Sequence, residues 1–238
     1  VQGIVCRAID TKNISIGAGA LALYAARLAK EGVPFEELCR KVEQNVGHSR
    51  VFYYMDTLDY LRAGGRIGRV TGALGSLLNI KPIISCNPQG VYYTVAMIRG
   101  RKRGIQRLID AVAKEVDGAR PLLFAVMHGD APEAVEEVSA ELTRLFPKGK
   151  IFMKKQINAS LAVHTGPGLV GILLFQPACR QLRRFLQKEL RGSQRRIPVL
   201  LSVKNLKALS RKDPSRGYSR NSNFAPPSGR FSARTEPP

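Results

Sequence analysis

Three short stretches carry the residues whose types and spacing could do chemistry. In the first, Gly64-Gly65 closes an apolar-spaced run (Leu58, Tyr60, Leu61), and Arg66 and Arg69 flank Ile67-Gly68. An apolar stretch (Leu74, Leu77, Leu78, Ile80) follows and ends at Pro82. Glycine lets a backbone turn tightly and approach a ligand closely, while the arginines fix positive charge beside apolar surface. Such a junction suits a molecule that is anionic at one end and hydrocarbon at the other. The second stretch is His164-Thr165-Gly166-Pro167-Gly168. Its imidazole and hydroxyl can donate hydrogen bonds, and its glycines can bring an anion close to backbone N–H groups. A buried carboxylate needs several such donors. The plainer alternative is a histidine that caps a turn before the last strand. The third stretch, residues 98–104 (IRGRKRG), adds Arg99 and Arg101. Arginine's planar fork suits phosphate, although a solvated basic turn has the same composition.

Other constellations lead nowhere. Gly17-Ala18-Gly19-Ala20-Leu21-Ala22 fits the dinucleotide fingerprint G-x-G-x-x-A, but its glycines come too long after a strand and no acidic residue ends a second strand about twenty positions on. The chain has no P-loop GK[ST] and no G-x-S-x-G elbow. His128-Gly129-Asp130 is expected to be a turn in which Asp130 or Gly129 starts the next helix. His48 has no evident partner. Cys6, Cys39, Cys86 and Cys179 form no CxxC pair, so zinc and redox roles gain no support and buried reduced thiols are expected. No cofactor or metal is expected.

The elements that must position these residues follow from periodicity. Residues 3–9 (GIVCRAI) form a β-rich run. Gly17–Lys30 has a helical pattern with Leu21, Tyr24, Ala25 and Leu28 on one face. Gly32 ends it, and Pro34 opens a second helix running to about Asn45. Strands are expected at Val51–Met55, Ile80–Ser85, Val91–Ile98, Leu122–His128, Lys150–Gln156 and Leu169–Phe175. Helices are expected at Arg103–Val116 and Ala131–Phe146. Asn87-Pro88-Gln89-Gly90 reads as a hairpin turn. This alternation implies helices packed on a sheet.

The GGRIG block, the RGRKRG turn and the H-T-G-P-G segment with its following strand occur in an order and spacing that resemble the DegV family of bacterial fatty-acid-binding proteins, over about residues 1–177. The resemblance implies an α/β, DegV-like two-domain fold. Residues 1–55 would be the remnant of an N-terminal α/β domain, and 56–177 an α+β C-terminal domain of mixed sheet and packed helices. It implies that His164 helps hold the fatty acid carboxylate, with Thr165 and Gly166 supporting it. Arg66, Arg99 and Arg101 would lie where an acyl phosphate is made and where the protein meets a fatty acid kinase subunit or an anionic membrane surface. Leu77, Leu78, Ile80, Ile83 and Ile84 are candidates for the acyl channel, although each could equally be ordinary core. The family's other carboxylate-holding hydroxyls would precede residue 1.

Size and charge agree with this reading. At 238 residues the chain can bury a sizeable core, and its longest apolar run, Leu169–Phe175, is far short of a membrane span. It lacks an initiator Met and a secretory leader, and it opens inside a strand-like run; a cytoplasmic fragment is expected. The formal charge of +20 raises nucleic acid binding as an alternative. However, residues 178–238 hold 15 of the 38 basic and 3 of the 18 acidic side chains, and aromatic residues are only 7% with no Trp. The folded part is therefore only moderately basic. The tail is expected to contain a basic amphipathic segment at Ala178–Arg191 and then a stretch too poor in apolar residues to order itself, consistent with an appended or frame-shifted ending. The function expected is that of a non-enzymatic carrier that binds a long-chain fatty acid and presents its carboxylate for phosphorylation.

Overall fold

The computed structural model describes residues 5–67, 70 and 80–178. Expectations placed on Gly68, Arg69, Leu74, Leu77, Leu78, Cys179 and the basic tail lie outside those residues. At the centre is β6 (Val170–Phe175), every residue of which is buried. An unbroken apolar strand belongs inside a sheet that is covered on both faces. β6 pairs antiparallel with β1 (Ser49–Tyr54) on one side and β4 (Leu123–His128) on the other. β2 (Ile80–Cys86) and β3 (Tyr92–Arg99) extend the sheet beyond β1, and β5 (Lys150–Gln156) runs parallel to β4 at the far edge. The order is β3-β2-β1-β6-β4-β5.

Strand alternation divides the core in two. Val51, Tyr53, Leu173 and Phe175 point to a first face, where α1 (Ile16–Lys30) buries Leu21, Tyr24 and Leu28 and α2 (Phe35–Gln44) buries Val42. Phe52, Tyr54, Ile172 and Leu174 point to the opposite face, against Ile105, Leu108 and Val112 of α4 (Arg101–Lys114) and Val135, Val138 and Leu142 of α5 (Pro132–Leu145). The result is a mixed α/β architecture with helices on both sides of one six-stranded sheet. The expected boundary at 55/56 falls just after β1, which is hydrogen-bonded to both β2 and β6.

Two local features shape the first face. The β2–β3 hairpin turns at Asn87, whose side-chain oxygen accepts from Gln89 and Val91 N–H, and Gly90 takes φ +78°. Further along, the register slips so that Ile83 pairs Ala96 while Ile84 pairs Thr94. The extra residue inverts the facing of β3. Tyr92 therefore packs on the first face, while Ala96 and Ile98 pack on the second.

The expected run at residues 3–9 is not a strand over its described residues 5–9. It pairs with none of the six described strands, and Arg7 instead pairs with Glu36 and Glu43 of α2. Cys6 is exposed, whereas Cys39 and Cys86 are buried as expected. Two short helices have no counterpart in the periodic pattern, α3 (Asp59–Ala63) and α6 (Ala159–Thr165).

Candidate functional site

On the first face, between the sheet and the two short helices, lies a cavity of about 310 Å³. Tyr53, Met55 and Ile84 form its floor, and Ile14 and Tyr92 one wall. The other wall comprises Leu61, Arg66, Leu161, His164 and Thr165. The volume is at the low end of the range typical for ligand sites. A larger, shallower hollow of about 810 Å³ lies where α4 and α5 end, lined by Val116, Leu122 and Phe146 among others. It contains none of the residues singled out in the sequence.

Helix ends place the donors. Asn158 caps α6, its Oδ1 accepting from Leu161 N–H at 3.1 Å, and Gly166 ends the helix with φ +71°. His164 and Thr165 therefore sit in a last helical turn, not in a loop. α3 ends in a Schellman pattern, with Gly65 N–H bonded to the Arg62 carbonyl and Arg66 N–H to the Leu61 carbonyl. Gly64 carries no side chain where one would collide: an added Cβ would lie 2.5 Å from His164 Nδ1. The Gly64-Gly65 pair thus both stops α3 and makes room for the imidazole.

Two side-chain atoms in the cavity lining are buried without a hydrogen-bond partner, His164 Nδ1 and Tyr53 Oη. Buried polar atoms are normally satisfied, so two orphaned atoms on residues that line one cavity make it the candidate place for a ligand. Burial, reinforced by neighbouring Tyr92, raises the Tyr53 phenol well above its ordinary pKa; Ser15 is close enough to oppose this but makes no hydrogen bond by geometry. Burial likewise pushes Tyr92 up to about 12, with Cys86 adding to the effect. Both phenols are therefore neutral donors at physiological pH. Thr165 is buried and donates to the Leu161 carbonyl at 3.2 Å, leaving its oxygen free to accept. Arg66 is exposed at the mouth, where it donates to the Gly64 carbonyl at 2.5 Å.

The structure thus brings Arg66, His164 and Thr165 to one cavity and places the other candidates elsewhere. Gly166 N–H bonds to the Ala162 carbonyl and Gly168 N–H to the Gly129 carbonyl, so neither is offered to an anion. Arg99 ends β3 exposed. Arg101 binds the Asp56 carboxylate and the Gly168 carbonyl. Lys81 and the Tyr54 hydroxyl also donate to Asp56, at 2.7 and 2.6 Å. Burial would raise the Asp56 pKa, but the Lys81 and Tyr54 hydrogen bonds and the Arg101 charge hold it below the ordinary carboxylate value. Of the channel candidates, Ile84 lines the cavity, whereas Ile83 points to the opposite face because consecutive strand residues alternate. Ile80 is not in the lining.

The remaining suspects have structural roles. Gly17 and Gly19 lie inside α1 rather than in a phosphate-binding turn. His128 Nδ1, not Asp130, accepts the Ala131 N–H at the start of α5. His48 does have a partner: its Nε2 lies 2.9 Å from Arg120 Nη1. No group of metal-ligating side chains occurs among the described residues, and no helix there is long and apolar enough to cross a membrane.

A family model described as an uncharacterised protein of the DegV family matches residues 1–176. This chain belongs to the DegV family. A DegV domain-containing protein of Clostridium acetobutylicum is 36% identical over 167 residues, covering 70% of this chain and 59% of the relative. One from Streptomyces coelicolor is 33% identical over 168 residues, covering 71% and 59%. This DegV-family chain therefore spans just under three-fifths of these curated relatives' length. Among solved structures, a fatty-acid-binding DegV protein from Thermus thermophilus superposes with a TM-score of 0.65 at 28% identity, covering 71% of this chain and 60% of that one. DegV of Bacillus subtilis, a fatty acid binding protein, gives 0.62 at 28% over the same shares. A stearic acid-binding protein from Eubacterium ventriosum gives 0.65 at 26%, covering 71% and 58%.

Proposed function

We propose that this DegV-family protein is a cytoplasmic carrier that holds one long-chain fatty acid and presents its carboxylate to a separate fatty acid kinase. The observation that carries the reading is the orphaned His164 Nδ1, set in an apolar cavity with Thr165 beside it and Arg66 at the mouth. The imidazole donates to the carboxylate, the exposed guanidinium supplies charge, and Ile84, Met55, Leu61 and Leu161 cover hydrocarbon. Burying about fourteen methylenes is worth on the order of 11 kcal/mol of gross transfer energy, offset by several kcal/mol of association cost. The assignment of residues 1–55 and 56–177 to successive domains and of 178–238 to a basic tail belongs to the same proposal. So do contacts of Arg99 with a kinase or an anionic membrane.

Native mass spectrometry of the purified chain tests the binding step. A bound mass of fatty-acid size that is lost in His164→Ala supports it. Retention on DNA without any lipid mass would favour the nucleic acid alternative. For the presentation step, acyl phosphate formation with a fatty acid kinase should slow when Arg66 is reversed to Glu; an unchanged rate would remove that role.

A further inference from the structure

We infer that the cavity is built for an acyl chain bearing a second oxygen, a hydroxy- or keto-fatty acid, whose chain oxygen accepts a hydrogen bond from Tyr53. The inference rests on the fatty-acid reading for the anionic end and adds the class of chain. Tyr53 is only 4% exposed, and its Oη is buried, without a partner, in the cavity lining. The residues that interact with this phenol are Ser15, Tyr92 and Cys86, from the start of α1 and from the β2–β3 hairpin. His164 is held by α3 and α6 instead, through Gly64 and the end of its own helix. The two orphaned atoms therefore stand on different elements, Tyr53 on the sheet floor and His164 on α6, and each is assigned its own ligand oxygen.

A plain methylene chain laid over Tyr53 leaves its hydroxyl desolvated and unbonded, which is the costly state for a buried donor. Phenylalanine would fill the same place without that cost, so the hydroxyl needs an acceptor to account for it. Ile14, Met55 and Ile84 of the lining carry no side-chain acceptor, and neither Ser15 nor Tyr92, the polar neighbours of the phenol, makes a hydrogen bond to it. A hydroxyl or keto oxygen partway along the ligand supplies one. A site built around a hydrogen-bonding group on its ligand discriminates against the analogue that lacks it.

The test uses the full chain, delipidated, titrated with stearate, a series of positional hydroxystearates and a ketostearate. At least one positional isomer should bind about tenfold tighter than stearate, as expected for one neutral hydrogen bond gained in a dry site. Tyr53→Phe should abolish that preference, bringing the favoured isomer within about twofold of stearate measured on the same variant, and should melt no lower than the parent chain. Affinities all within about twofold of stearate, or a preference that survives in Tyr53→Phe, would overturn the inference while the carrier reading stands. Failure of stearate and every oxygenated chain to bind would remove both.

Discussion

Replacing Gly64 with alanine disturbs His164 without altering it. The new Cβ would lie 2.5 Å from His164 Nδ1, about 1 Å inside ordinary contact, so the imidazole must move by about that much. Hydrogen bonds weaken steeply beyond about 3.2 Å, so a ring displaced this far no longer reaches a carboxylate placed for it. Gly64 has φ −79° and ψ 0°, a conformation open to alanine, and the substitution stiffens the unfolded chain. Stability should therefore fall by no more than about 1–3 kcal/mol, the cost of overpacking. Binding should not be spared. Loss of a hydrogen bond to a charged group costs about 1.5–3 kcal/mol, or roughly 10- to 150-fold in Kd. His164→Ala should weaken fatty acid binding by a similar factor, and Gly64→Ala/His164→Ala should be no worse than His164→Ala alone. Isothermal titration with palmitate on all four proteins closes the double-mutant cycle. Wild-type affinity in Gly64→Ala, or losses that simply add, would refute the idea that the glycine acts through the imidazole.

Arg66→Ala should reduce palmitate affinity, in a manner that fades at high salt, without moving the melting temperature. Arg101→Ala should do the reverse, lowering stability by about 1–3 kcal/mol in urea titration because Asp56 and the Gly168 carbonyl lose a donor. His48 is held below its ordinary pKa by burial and then by the Arg120 charge, so the folded state favours neutral imidazole. Its contribution is present above about pH 6.5 and is lost as pH falls through the lowered folded pKa; His48→Gln should flatten that part of the stability–pH curve. Gly104→Ala should cost about 1–3 kcal/mol by overpacking, since its Cβ would collide with the Tyr54 ring, and the loss should appear as a lower urea midpoint.

Periodic segments were legible from residues alone. Leu21, Tyr24 and Leu28 repeat at helical spacing and all three are buried in α1, and the apolar run of β6 is the central strand. His164 was legible by type and by its glycine-rich setting. The helix that holds it was not, because seven residues make barely two turns; the signals available were Asn158 as a cap and Gly166 as a stop, eight positions apart. Tyr53 was invisible as a site residue. Nothing in Val51–Met55 distinguishes it from Tyr54; the pairing with β6, more than a hundred residues away, decides which tyrosine meets the cavity. The same non-locality hid the Asp56–Arg101 pair. Residues 5–9 misled because β propensity needs a neighbouring strand to become a strand.

That register ties the two polar systems of the molecule together. Tyr53 and Tyr54 are consecutive, so one phenol enters the cavity while the other turns to the opposite face and donates to Asp56. Through Asp56, the strand end reaches Arg101 and so the Gly168 carbonyl, two residues beyond the glycine that stops α6. The basic residue of the RGRKRG turn therefore acts on the H-T-G-P-G segment from behind, by fixing its backbone, whereas Arg66 faces the cavity mouth directly. Similar residue types in neighbouring motifs thus divide into one group that can touch a ligand and another that sets where the first group stands.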